Sequence, residues 1–204
     1  MAWTWPIGDF RGGEKEKGLA REAVYKAKSQ CRKQEKMTLG EAIKVAIEYE
    51  TTIRDLYKEA VTVVDDPLGK KALQMLEKDE QNHLDYLTDR LQRWQKTGKL
   101  VLEKLETMIP SSEIITREAE KLAKKMPKED RGDEKQLLSK ALKVEIETSR
   151  FYQKMVGEMS GEGRQMFARF LEIEAGHIAT VRAELDYLSH TGYWFDFQEF
   201  DLEY

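Results

Sequence analysis

The sequence predicts an all-α protein: a four-helix bundle made of two helical hairpins joined by a long crossover, with one further helix at the N-terminus. Three observations predict it. Apolar residues recur at intervals of three and four over long stretches, 35% of the residues are charged with both signs interspersed, and only four of the 204 residues are Pro. Long helices with one apolar and one charged side account for all three.

Residues 1–37 read as an N-terminal extension. Trp3, Trp5, Pro6 and three Gly exclude a helix over residues 1–13, and residues 14–36 then form a basic helix with a thin stripe of Ala20, Val24, Ala27 and Cys31. Such a narrow apolar face is marginal alone and needs the main body or a partner.

The bundle is expected over residues 38–190. Thr38 followed by Glu41 is a capping-box signature, and Ala42, Ala46, Ile53, Tyr57, Ala60 and Val64 follow at helical spacing. Asp66 and Pro67 stop this first long helix and start a second, because Asp caps free N–H groups and Pro is tolerated in a first turn. Leu73, Leu76, Leu84, Leu87 and Leu91 line one side of the second, which runs to Thr97 with Gly98 as its stop. The turn between the two is short, so they lie antiparallel.

Residues 98–133 interrupt the pattern with Pro110, Ser111, Ser112, Pro127 and Gly132, and enclose a short helix near residues 113–125. This connection of 36 residues is long enough to run back along helices that rise roughly 40 Å. From Asp133, taken as a cap, a third long helix carries Leu138, Ala141, Leu142, Tyr152 and Met155 to a turn at Ser160 and Gly161. A fourth carries Phe167, Phe170, Leu171, Ile178, Val181, Leu185 and Leu188. Residues 191–204 form an aromatic, acidic tail with Tyr193, Trp194, Phe195, Phe197 and Phe200, which together with the N-terminal tryptophans is expected to pack on the bundle or across a subunit interface.

Composition narrows the function classes. One Cys cannot build a disulfide framework or a Cys₄ metal site within a chain, and fits a reducing cytoplasm. No stretch longer than about nine residues lacks a charge, against the roughly 18–20 apolar residues of a membrane span, and no basic-then-apolar signal pattern opens the chain. The net charge of −4 gives no reason to expect nucleic acid as a partner.

The two hairpins repeat one plan. A shift of 95 residues places Ala46 on Ala141, Glu50 on Glu145 and Tyr57 on Tyr152; a shift of 94 places Leu73 on Phe167, Glu80 on Glu174 and His83 on His177. Charge therefore recurs inside the apolar stripes. Glu50, Glu145, Glu80 with His83, and Glu174 with His177 all lie on faces that must point inward. Unpaired buried carboxylates cost several kcal/mol each, no Lys or Arg occupies those stripes near them, and two divalent cations would balance four carboxylate charges. Carboxylate oxygen and imidazole nitrogen suit iron or manganese. A Glu from each of two helices plus Glu-x-x-His from each of the other two is the ligand set of carboxylate-bridged dimetal bundles. A single Glu-x-x-His among 26 Glu would say nothing; two of them, each about 30 residues after a stripe Glu, do.

In this order of Glu50, Glu80-x-x-His83, Glu145 and Glu174-x-x-His177, the chain resembles the ferritin-like superfamily, and within it the rubrerythrin-related proteins, over about residues 38–190. The resemblance implies a ferritin-like four-helix bundle with two iron ions, manganese being the alternative. Glu80 and Glu174 would bridge the metals, Glu50 and Glu145 would be terminal ligands, and His83 and His177 would each bind one metal. Two departures stand out. The Cys₄ rubredoxin domain of rubrerythrins has no counterpart here, and Thr148 stands where they carry a further Glu that takes part in redox-linked iron movement.

Tyr57 and Tyr152 each follow a ligand Glu by seven residues, two helical turns, on the same face. As candidate catalytic residues they hydrogen-bond to the opposite bridging Glu or act as one-electron donors; as plain core residues they need only a partner for the hydroxyl. His190 is expected at the surface and Cys31 in packing. The expectation is thus a cytoplasmic di-iron oxidoreductase that reduces hydrogen peroxide or O₂ with an external electron donor protein. Its form is a homodimer, with swapped hairpins as the alternative. Iron oxidation for storage or transfer, and a non-enzymatic bundle, are the other two readings.

Overall fold

Thr38 closes the expected capping box: its N–H donates to Glu41 Oε2 at 2.8 Å, and the Glu41 N–H donates to Thr38 Oγ1 at 3.3 Å. It opens helix α1, Leu39–Val63, in a computed structural model that describes residues 36–122, 132–191 and 193–194. The helix expected over residues 14–36 lies, but for Lys36, outside the described residues, as do Trp3, Trp5, Cys31, Pro127 and the tail beyond Trp194. The described residues form five helices and no strand.

Asp66 caps α2, Pro67–Thr97, by accepting from the N–H groups of Leu68 and Gly69, and Gly98 ends it at φ 69°, a conformation that favours Gly. Gly40, near the start of α1, touches the ring of Trp94 near the end of α2, so the pair is antiparallel. Next comes the short helix α3, Ser112–Leu122, which starts one residue before the expected 113; the remainder of the expected span, 123–125, lies outside the described residues. The third long helix, α4, spans Gly132–Glu158, so Asp133 is not a cap outside the helix: it lies in the first turn with Glu134, where the carboxylates face the helix's positive end. Gly161, at φ 53°, opens α5, Gly161–Thr191, which extends one residue past the expected boundary at 190.

The crossover from 99 to 111 runs in the groove between α2 and α5. On the α2 side Arg90 Nη1 donates to the Val101 carbonyl at 2.5 Å, the Tyr86 hydroxyl to the Glu103 carbonyl at 3.2 Å, and the Met108 N–H to Asp79 at 2.9 Å. On the α5 side Arg169 donates to the Leu105 carbonyl and Gly176 lies against the Pro110 carbonyl. The chain thus travels back along α2 and starts α4 at the end where α1 finished. Trp194 confirms the placement, packing on Gly69 of α2 while its Nε1–H donates to Glu134 of α4 at 2.9 Å. Both hairpins meet within one chain, α1 against α4 and each hairpin's helices against one another.

The core has two apolar blocks with a polar layer between them. One block is mainly aliphatic, with Ile53, Ala60, Leu73, Leu76, Leu138, Val181 and Leu188; the other is mainly aromatic, with Phe151, Tyr152, Phe167 and Phe170 beside Ile43 and Leu87. Each buried Leu or Phe contributes about 1.5–3 kcal/mol relative to exposure. Packing on both sides offsets the cost of what the middle layer holds.

Candidate metal centre

The middle layer contains the residues singled out by charge in the stripes. Glu50 on α1, Glu80 and His83 on α2, Glu145 on α4, and Glu174 and His177 on α5 are all fully buried, at 0% exposure. The three-residue spacing within Glu-x-x-His puts each pair on one helical face. Antiparallel packing then turns the four faces toward one point.

The six residues fall into two overlapping groups. Glu50, Glu80, His83 and Glu174 form one, and Glu80, Glu145, Glu174 and His177 the other; in each, one ligand atom per residue lies within 4.8 Å of the rest. Glu80 and Glu174 belong to both. His83 Nδ1 lies 3.1 Å from Glu50 Oε2 and 3.0 Å from Glu80 Oε2, and His177 Nδ1 lies 2.7 Å from Glu80 Oε1. The rings stack at 5.3 Å between centroids and 12° between planes.

Tyr57 and Tyr152 are fully buried beside the cluster. The Tyr57 hydroxyl donates to Glu145 Oε1 at 2.5 Å, and the Tyr152 hydroxyl donates to Glu50 Oε1. Each tyrosine therefore reaches the opposite hairpin, but its acceptor there is the Glu of the facing long helix. Glu80 and Glu174, the bridging carboxylates expected from the sequence to accept these bonds, are not the acceptors. The reason is register: α1 and α4 are antiparallel neighbours, so a residue seven positions past Glu50 comes level with Glu145.

Donors satisfy only part of this set. Glu80 Oε1, Glu145 Oε2, both oxygens of Glu174 and His177 Nδ1 are buried without a hydrogen-bond partner. Short approaches such as that of His177 Nδ1 to Glu80 Oε1 lack hydrogen-bond alignment. Buried polar atoms are ordinarily paired, and five unpaired ligand-type atoms converging on one point fit a cation shell. The donor chemistry, hard carboxylates with two imidazoles, fits iron or manganese.

Charge in the cluster is divided unevenly. Burial pushes the Glu80 and Glu174 carboxyls well above the ordinary range, and neighbouring carboxylates add to this, Glu50 beside Glu80 and Glu145 beside Glu174. Burial would raise Glu50 too, but the charge of His83 and hydrogen bonds to Glu80, His83 and Tyr152 hold it at about 2. His177 is driven the other way: burial lowers it, yet the Glu80 charge close by and the hydrogen bond to Asp79 carry it to about 10.

One residue of the layer escaped the sequence reasoning. Asp79 is fully buried, accepts from His177 Nε2 at 3.0 Å and from Thr107 Oγ1 at 2.6 Å, and stands 3.6 Å from His83 Nε2. A signal was present: Asp79 is three residues after Leu76 and four before His83, on the same stripe. Its counterpart 94 residues on is Ile173, so comparing the two halves conceals it. Other expectations hold. Thr148 is buried with its hydroxyl donated to the Val144 carbonyl, and His190 is exposed, its Nδ1 2.6 Å from the Asp186 carbonyl.

Fold and site together define a class, an all-helical bundle with a buried carboxylate and histidine cluster able to hold metal. Comparison with protein-family models, curated proteins and solved structures finds no match. Among the described residues no helix is long and apolar enough to cross a membrane.

Proposed function

We propose that the chain is a ferritin-like dimetal oxidoreductase, similar to the dimetal bundle of rubrerythrins, that reduces hydrogen peroxide or O₂ with electrons from an external donor protein. The observation that carries this reading is the sharing of Glu80 and Glu174 between two four-residue groups, each completed by one Glu and one His. A single metal site or a chance buried ion pair has no use for two such halves. Nor does a metal-free network explain why both oxygens of Glu174 stay unpaired.

Two ferrous ions, when bound, supply the two electrons that convert peroxide and two protons to water. The chain supplies everything else. Glu80 and Glu174 lie where they can serve both metals, Glu50 with His83 on one side and Glu145 with His177 on the other. Tyr57 and Tyr152 orient the terminal carboxylates by donating to them, which leaves the second oxygen of Glu145 free to ligate. The apolar blocks on either side exclude water and keep these charges in a low dielectric. Thr148, its hydroxyl committed to the backbone, offers no further carboxylate, so redox-linked movement of iron toward that residue is not part of this proposal.

Metal analysis of untagged protein, followed by rapid mixing of the ferrous form with peroxide, tests the reading. Two irons per chain and fast oxidation are expected, with turnover once a donor is added. A protein that binds two irons and is not oxidised sinks the oxidoreductase assignment. Iron loading well beyond two per chain in a cage-sized oligomer moves it to iron storage.

A further inference from the structure

A groove of about 1030 Å³ runs along the outer side of α5, with α3 and α4 flanking it. Ala175, Ile178, Ala179 and Ala183 of α5 make its floor, and Ile146 of α4 and Ala119 of α3 stand on its walls. Its lining extends along α5 from Leu171 to Thr191, roughly 30 Å at 1.5 Å per residue. A contiguous apolar groove of this length marks a contact surface.

The charges along it are uncommitted. Arg150 and Arg182 line the groove, are exposed and have no ion-pair partner among the described residues, whereas Arg54, Arg93 and Arg169 each hold a carboxylate. His190 adds a third basic side chain, and Asp186 is the one carboxylate in the lining. The occupant that fits is apolar on one side and acidic on the other.

This chain carries such a segment close to one end of the groove. Thr191 lines the groove, and three residues later Trp194 is held against Gly69 and Glu134, so residues 195–204 start within reach. They contain four carboxylates, Asp196, Glu199, Asp201 and Glu203, and no basic residue. Phe200, Leu202 and Tyr204 alternate with Glu199, Asp201 and Glu203 at a period of two, which in an extended segment sends apolar side chains one way and charged ones the other. Ten extended residues span at most roughly 33–36 Å, enough to follow the groove. A segment joined this closely meets the groove at an effective concentration on the order of millimolar, an advantage that no separate partner has.

We propose that residues 195–204 bind in this groove of their own chain, with their apolar side chains on the α5 floor and their carboxylates on Arg150 and Arg182. Ile146 adjoins Glu145 in sequence, and Ala175 and Ile178 adjoin Glu174 and His177. The segment therefore covers the outside of the two helices that carry three of the six candidate ligands. Its binding needs no metal.

Fluorine NMR of the full metal-free chain, with fluorophenylalanine in place of Phe and Cys31→Ser throughout, tests this. A nitroxide on Thr116→Cys, in the α3 wall, is expected to broaden the Phe197 and Phe200 signals beyond detection; a nitroxide on Lys58→Cys of α1, away from the groove lining, is expected to leave them sharp. Arg150→Glu with Arg182→Glu is expected to abolish the broadening, and adding Asp201→Arg with Glu203→Arg to restore it. Both arginines are exposed, so these changes leave the core intact. In a mixture of nitroxide-bearing chains without fluorine and fluorinated chains without nitroxide, the signals are expected to stay sharp. Broadening in that mixture would mean that the groove takes the segment of a second copy, and it overturns the inference. So do sharp signals beside the Thr116 nitroxide, equal broadening from both positions, or broadening that survives the charge reversal.

Discussion

Tyr57 donates a 2.5 Å hydrogen bond to Glu145, a residue 88 positions away on the other hairpin. Tyr152 returns the same bond to Glu50, so the two hairpins are cross-linked at the charged layer by a reciprocal pair. The arrangement follows from duplication. Two copies of Glu followed by Tyr seven residues later, packed antiparallel, must each meet the other's partner.

Removing either hydroxyl leaves a buried carboxylate short of a donor. Tyr57→Phe and Tyr152→Phe are each expected to lower the stability of the metal-free protein by about 1–3 kcal/mol. Urea unfolding checks this, and an unchanged midpoint for both variants would show that the bonds contribute nothing. The double variant should deviate from additivity, because both bonds belong to one network.

Glu174 belongs to both groups and Glu145 to one. Glu174→Ala is therefore expected to reduce bound metal from two per chain to near zero, and Glu145→Ala from two to one, read by elemental analysis after desalting. In metal-free protein the sign reverses. Replacing Glu174 by Leu removes a carboxyl that burial and three neighbouring carboxylates disfavour, and should raise Tm.

Metal stabilisation should grow as pH rises. His177 is held at about 10, so the stability it lends the metal-free fold is complete below about 6.5, its unfolded value, and is lost as pH climbs through 10. The raised carboxyls of Glu80 and Glu174 act in the same direction, since their protonated forms suit the buried site and are given up with rising pH. Bound metal replaces these protons. Thermal melts with and without Mn(II) between pH 6.5 and 9.5 should show a widening gap in Tm, and a gap that narrows would contradict the charge assignment.

Gly176 sets how closely the crossover lies on α5, beside His177. A Cβ there would stand 2.9 Å from the Pro110 carbonyl, which is backbone and cannot swing aside. Gly176→Ala should cost about 1–3 kcal/mol in urea unfolding. A neutral effect would mean that the segment yields without strain.

The sequence by itself determined the helices and the composition of the site. Caps at Thr38 and Asp66, the stop at Gly98 and the period of the stripes are local signals, and charge at Glu50, Glu80, His83, Glu145, Glu174 and His177 stands out against an apolar face without knowledge of the fold. What only the tertiary structure decided is pairing. The tyrosines' acceptors depend on the antiparallel register of α1 and α4, and the place of Asp79 depends on the crossover lying between α2 and α5, where Thr107 and Met108 reach it. Periodicity reports which face of a helix turns inward. It carries no distance between residues 88 or 98 positions apart, and those separations are where this cluster's hydrogen bonds are made.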